Sequence, residues 1–254
     1  MTLSCEDKVA ILDNPLDQEN PEYTPPQVTF VSPSPQESEI VESSEVNFQW
    51  HGYMVDEYRT KFDDGEWQDW TEETSATFQY LDEGPHIFSA QGRYVSGDTS
   101  AVVSINFSVD AVEGPALMFF PRRRIATTVG QTVAFQVMVE EVEDLSAVEC
   151  TITFNPEILE VTHISEGSIF KSQGESIFLN NYDNDVGTIT ISSALLGGYN
   201  PSIDGTDYVA IIEMEIKKKR RETLTIDESA VFRNPNNKSI SINEIINGLV
   251  EIEW

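Results

Sequence analysis

The sequence predicts an all-β chain built as two β-sandwiches. Apolar residues recur at every second position through most of it, turn residues punctuate these runs at short regular spacing, and no stretch shows a convincing helical period. At 254 residues there is room for two ordinary domains. Each would bury roughly two thirds of its unfolded surface, so neither needs a disulfide or metal staple.

The first sandwich is placed at residues 27–112. Val46, Phe48 and Trp50 alternate, as do Tyr58, Thr60 and Phe62, then Ile87 and Ser89, then Val103, Ile105, Phe107 and Val109. Asp63-Asp64-Gly65, Glu83-Gly84-Pro85 and Ser96-Gly97-Asp98 supply the turns. Trp67 and Trp70 have two readings, a sugar-stacking platform or core packing; the three-residue spacing would turn them to opposite faces of a strand, which favours the core. The segments YRTKFDDGEWQDW and TFQYLDEGPHIFSAQGRYVSG resemble the fibronectin type III and related immunoglobulin-like domains of bacterial surface proteins, in residues that mark core and turns. That likeness implies a fold and no single function.

The second sandwich is placed at residues 115–254, after a short joint at Ala111–Pro115. Val133, Phe135, Val137 and Val139 face one way against Thr132, Ala134, Gln136 and Met138. Val148, Cys150, Ile152 and Phe154 alternate with Glu149, Thr151, Thr153 and Asn155, and Ile189 and Ile191 with Thr188, Thr190 and Ser192. Ala210, Ile212, Met214 and Ile216 repeat the pattern, which is that of antiparallel strands with one face in a core. The run VGQTVAFQVMVEEVEDLSAVECTITFNPEILEV then resembles the opening of the bacterial cohesin domain. Glu166-Gly167, Gly187, LLGGYNPSIDGTDY, VAIIEMEIKKK, Leu224-Thr225-Ile226 and Gly248–Ile252 follow in the family's order.

What the cohesin resemblance implies is a nine-stranded jelly-roll sandwich that receives dockerins, small calcium-dependent helical modules of secreted proteins, on one flat sheet face. Carried over by position, Glu149 matches an acidic contact, Tyr182 an aromatic contact, and Ala194 and Gly198 the end of a strand and its loop. Thr151, Thr190 and Ser192 share that face by the period of two. Ala147 and Leu195 stand where better-known members have polar residues, and Leu195 with Leu196 either forms an apolar edge of the binding surface or packs under the following loop. The resemblance places no cofactor on this chain; calcium belongs to the dockerin partner.

The formal charge of −29, from 15 basic and 44 acidic side chains, argues against nucleic-acid binding, which requires clustered Lys and Arg. Residues 1–114 contribute 4 basic and 23 acidic side chains. The one dense basic run, Lys217 to Arg221, ends a strand pattern and reads as a solvated turn rather than a phosphate site. His51, His86 and His163 have no metal-ligand spacing, and neither a nucleophile elbow nor a phosphate loop is present, so no enzyme and no metal site is expected.

Residues 1–26 are acidic and Pro-rich, the composition of a tether. Leu3-Ser4-Cys5 resembles the end of a bacterial lipoprotein signal, which makes Cys5 the expected lipid anchor, the apolar part of the signal having been removed, and the membrane is expected to be reached only through it. The expected setting is extracellular or at the cell surface. The leading function is a non-catalytic receptor for a dockerin-like module. The alternatives are carbohydrate binding, with polysaccharide as ligand, and a purely structural spacer; no row of exposed aromatics on one strand face supports the former.

Overall fold

The computed structural model describes residues 19–173, 175–196 and 202–252. Its contacts divide the chain into two compact units. The first comprises Met1–Val41, Glu45–Gln79 and Gly84–Val109, and the second Glu42–Ser44, Tyr80–Glu83 and Asp110–Trp254.

The first unit folds as strands β1 (Gln27–Val31), β2 (Glu39–Val41), β3 (Val46–Tyr53), β4 (Glu57–Phe62), β5 (Ser75–Phe78), β6 (Gly84–Arg93) and β7 (Val103–Val109). They form two sheets, ordered β1-β3-β5 and β2-β7-β6-β4. The sheets meet through aromatic rings: Phe48 of β3 stacks on Phe88 of β6 with centroids 4.0 Å apart. Alternation on β3 buries Val46, Phe48 and Trp50 as the sequence predicts. On β6 the inward set is His86, Phe88 and Ala90, while Ile87 is 45 % exposed. The Ile87/Ser89 period thus traced the outer parity, because Phe88 contributes more apolar area to the core.

Trp67 and Trp70 correct the core-packing expectation. Both are only half-buried. The Arg59 guanidinium lies 4.7 Å from the Trp67 ring centroid and 4.8 Å from that of Trp70, and Arg93 lies 4.6 Å from the Trp70 centroid. Arg59 is itself fixed by donating from Nε and Nη2 to Gln91 Oε1. Cation stacking, rather than a core or an open sugar platform, therefore organises these rings.

The second unit contains β8 (Ala116–Phe120), β9 (Arg123–Ala126), β10 (Thr132–Leu145), β11 (Ala147–Thr153), β12 (Leu159–Glu166), the single-turn helix α1 (Ser168–Lys171), β13 (Ser176–Asp183), β14 (Thr188–Leu195), β15 (Ile203–Ile216), β16 (Glu222–Ile226), β17 (Val231–Arg233), β18 (Ser239–Ile240), β19 (Glu244–Ile246) and β20 (Gly248–Ile252). One sheet runs β12-β15-β10-β8-β19. The other runs β13-β14-β11-β16-β20-β9, with β17 also paired to β11 and β18 to β17. Thirteen strands among the described residues replace the nine expected. Pro121, which has no N–H to donate to a ladder, separates β8 from β9, and these join different sheets; β17, β18 and β19 are pieces of two or three residues.

Between the sheets lies a core in which Phe135 and Val137 of β10, Cys150 and Ile152 of β11, Ile189 and Ile191 of β14, and Ile212 and Met214 of β15 are at most 1 % exposed. Both inner faces are the ones the alternation predicted. The basic run is an exposed turn between β15 and β16. Lys217 and Lys218 reach Glu160 and Glu157 at 3.4 and 2.9 Å, and Arg221 reaches Glu251 at 3.5 Å. Among the described residues no helix is long and apolar enough to cross a membrane.

Two measurements check this packing. Burial above all, with the Glu149 charge adding, pushes the Cys150 thiol up to about 12. In a Cys5→Ser chain Cys150 should therefore resist thiol reagents until the protein unfolds; rapid native-state labelling would mean that β11 faces the other way. Ile152→Ala should cost about 2–5 kcal/mol of stability, seen as a lower urea midpoint, and a midpoint unchanged from the parent would contradict the core position of Ile152.

Candidate binding face

The outer face of the second unit's larger sheet is assembled by register. β11 pairs with β14 so that Ala147 faces Ala194, Glu149 faces Ser192, Thr151 faces Thr190 and Thr153 faces Thr188. β14 pairs with β13 so that Ala194 faces Ile177, Ser192 faces Leu179, Thr190 faces Asn181 and Thr188 faces Asp183. On the other flank of β11, β17 sets Arg233 beside Ala147 and Val231 beside Glu149. Cross-strand partners project to the same side, so the face is a set of rows. One reads Arg233-Ala147-Ala194-Ile177, the next Val231-Glu149-Ser192-Leu179. Polar rows through Thr151 and Thr153 follow.

Local chemistry fixes the β13–β14 hairpin that carries half of this face. The Asp183 carboxylate accepts the N–H groups of Asp185 and Val186 at 2.8 and 3.0 Å, and the Gly187 N–H donates to the Asp183 carbonyl at 2.8 Å. Gly187 sits at φ +81°, where a side chain would be strained and would also strike the Phe154 carbonyl. The turn residues thereby lock the register that puts Leu179 beside Ser192.

Of the residues singled out from sequence, Glu149, Thr151, Thr190, Ser192 and Ala194 share this face. Tyr182 does not. It is the cross-strand partner of Ile189, a core residue, so its side chain leaves the sheet on the core side at the free edge of β13, where it is 41 % exposed. Leu195 turns inward and packs against the core, and Leu196 just beyond the strand is 42 % exposed. Gly198 and Cys5 lie outside the described residues.

Sequence reasoning missed Ile177 and Leu179, which are 41 % and 64 % exposed on the same face as Glu149. It also missed Val231 and Arg233, because β17 is too short to show a period. Ile177 and Leu179 flank Phe178, which packs against the core. Three consecutive apolar residues leave the facing of a strand undetermined; only the pairing resolves it. Together Ala147, Ala194, Ile177, Leu179 and Val231 enclose a shallow depression of about 230 Å³, with Glu149 and Arg233 at its margin. Among the described residues Glu149 and Arg233 form no ion pair; Arg233 Nη1 donates only to the Asn237 carbonyl, at 3.3 Å. No group of three or more His, Cys, Asp and Glu side chains among the described residues could hold a metal ion.

The face can therefore offer rigid side chains, an apolar hollow and two uncompensated charges of opposite sign. Since Leu179 is mostly exposed on an edge strand, Leu179→Asp should change stability by no more than about 1 kcal/mol. A drop in thermal midpoint like that of a core substitution would show that Leu179 is buried in solution.

A family model described as the cohesin domain matches residues 124–252. Among solved structures, a non-cellulosomal cohesin from the hyperthermophilic archaeon Archaeoglobus fulgidus is 15 % identical, with 55 % of this chain and 91 % of that one covered and a TM-score of 0.45. The sixth cohesin of scaffoldin B from Acetivibrio cellulolyticus, solved with a dockerin, is 21 % identical over 56 % of this chain and 100 % of that one, with a TM-score of 0.46. A type I cohesin–dockerin complex from Clostridium thermocellum contributes a match of 19 % identity, 54 % and 98 % coverage, and TM-score 0.47. Comparison with the curated proteins returned no match.

Proposed function

Because this chain belongs to the cohesin domain family, we propose that its second unit is a non-catalytic receptor for a dockerin-like module, acting in attachment or scaffolding outside the cell. The observation that carries the reading is the outer face of β17, β11, β14 and β13. A sheet face presents side chains at fixed spacing, so a partner docks without a loop having to be ordered at entropic cost. Its backbone groups are spent within the sheet, which leaves side chains to do the recognising. Calcium belongs to the partner in this reading. The first unit, whose two sheets suit an immunoglobulin- or fibronectin III-like module, acts as a spacer, and acylation at Cys5 would tether the whole to a membrane.

Carbohydrate binding is the weaker reading. Sugar platforms need aromatic faces open to solvent, and the binding face described above has none, while Trp67 and Trp70 are stacked on guanidinium groups.

The test is titration of the full chain with a panel of calcium-loaded dockerins. At least one should bind, and chelating calcium should abolish binding while leaving the thermal midpoint of this chain unchanged. Glu149→Lys should weaken a partner that presents Lys or Arg, and the loss should shrink as salt rises from 0.05 to about 0.5 M, because screening shortens to a few Å. A partner whose affinity ignores both calcium and Glu149 would sink the dockerin reading.

A further inference from the structure

The binding face is not uniform, and the hollow between β17, β11, β14 and β13 is small and specific in lining. Its floor is the cross-strand pair Ala147 and Ala194, the smallest side chains on the face. Ile177 and Leu179 wall it on the β13 side and Val231 on the β17 side. At about 230 Å³ it is below the roughly 300–1,000 Å³ of sites that enclose a small-molecule ligand. The lining contains no aromatic ring for a sugar and only two charged groups. An aliphatic side chain fits within it and suits its largely apolar lining.

The charges say how that side chain is presented. Arg233 stands in the row of the two alanines and Glu149 in the next row, so opposite charges lie at two places on the margin of one apolar hollow. Neither is neutralised by an ion pair among the described residues, although 44 acids are available in the chain to cover an arginine. On a helix, side chains three and four apart stand about 5–6 Å from each other on one stripe. Neighbouring strands are about 4.8 Å apart. One turn of a helix laid across the sheet can therefore drop an aliphatic residue into the hollow while its neighbours reach Glu149 and Arg233.

We infer that this hollow is the specificity pocket of the face: it takes one aliphatic side chain from a partner helix that carries a cationic residue toward Glu149 and an anionic residue toward Arg233. The inference rests on the proposed protein-binding role of the face and adds which residues choose the partner. Reversing the order of the partner's charges brings like charges together, and a larger side chain at Ala147 removes the space, so the pocket rejects as well as selects. Ala147, Leu179, Val231 and Arg233 become specificity residues, and Tyr182, on the other side of the sheet, has no part in it.

Two display libraries selected on the full chain test this. One is a calcium-loaded dockerin with its exposed helix face randomised, the other a calcium-free three-helix bundle randomised at equivalent positions. Selected clones should converge on an aliphatic residue flanked by Lys or Arg on one side and Asp or Glu on the other. They should lose roughly tenfold or more in affinity for Ala147→Leu, Leu179→Asp or Glu149→Arg chains. Reselection on the Glu149→Arg, Arg233→Glu double variant should return clones with inverted flanks. The exposed Leu179→Asp variant stands in if Ala147→Leu lowers the thermal midpoint. Binders from the bundle alone would strike the dockerin reading and leave the pocket standing. Dockerin binders indifferent to Ala147, Leu179 and Arg233 would overturn the pocket and leave the dockerin reading intact. No binders from either library would overturn both.

Discussion

The strict two-residue period of β11 is the constraint on which the second unit depends. Val148, Cys150 and Ile152 are at most 2 % exposed, while Ala147, Glu149, Thr151 and Thr153 point out. Burying an aliphatic side chain contributes about 1.5–3 kcal/mol. A slip of one residue would forfeit that for each inward residue and put the Glu149 carboxylate in the core, which costs far more. The same period that builds the core therefore fixes the composition of the outer face. β14, held to β11 over Ala147–Thr153, passes the register on to β13, and the turn at Asp183–Gly187 closes it. Rigidity of the face is thus a consequence of core packing rather than a separate design.

Charge acts on a different scale. A formal charge of −29 keeps the chain soluble and repels anionic polymers at a distance. Close pairs then shape what is left: Lys217, Lys218 and Arg221 each lie beside a glutamate, while Lys219 and Arg220 of the same run stay exposed and line a depression with Arg123 and Arg221. Against such a background a single exposed Arg233 on the binding face stands out to an approaching partner. Long-range attraction would favour a cationic partner, and the short-range contact with Arg233 would ask it for one acid at a set position. Steering and fit are governed by separate groups.

How much of this was legible in the sequence depended on whether a period existed to be read. On β10, β11 and β14 apolar and polar residues largely alternate, on β15 the alternation is carried by Ile212, Met214 and Ile216 against Glu213 and Glu215, and the inward sets were those the structure shows. The outward Glu149, Thr151, Thr190 and Ser192 followed from that. Where the signal was ambiguous the reading failed for a stated reason. Ser176–Asp183 has apolar residues on both faces near its start and polar ones on both faces later, so nothing in the sequence fixes the side from which Tyr182 leaves; its partner Ile189 does. β17 spans three residues and offers no period at all. The Trp67–Arg59–Trp70–Arg93 stack depends on residues far apart in sequence meeting across β4 and β6, which no local pattern records.

Ala147 and Leu195, which the resemblance sets where better-known cohesins are expected to carry polar residues, acquire different meanings once placed. Leu195 turns into the core, so it alters packing rather than contact. Ala147 faces outward and, with its partner Ala194, supplies the floor of the hollow. Replacing a polar contact by a methyl group removes a hydrogen-bonding partner but also removes a group that would have to be desolvated and re-satisfied on binding. What it leaves is shape. An apolar hollow alone discriminates weakly, since one methylene more or less changes a pocket's affinity by only about 1–3 kcal/mol. Two margin charges of opposite sign strengthen that discrimination, because a mismatched partner then buries an unpaired or repelled charge as well as a poorly fitting side chain. In the proposed binding role, selectivity on this face would come from the combination of small floor residues and uncompensated charges, and neither feature would supply it by itself.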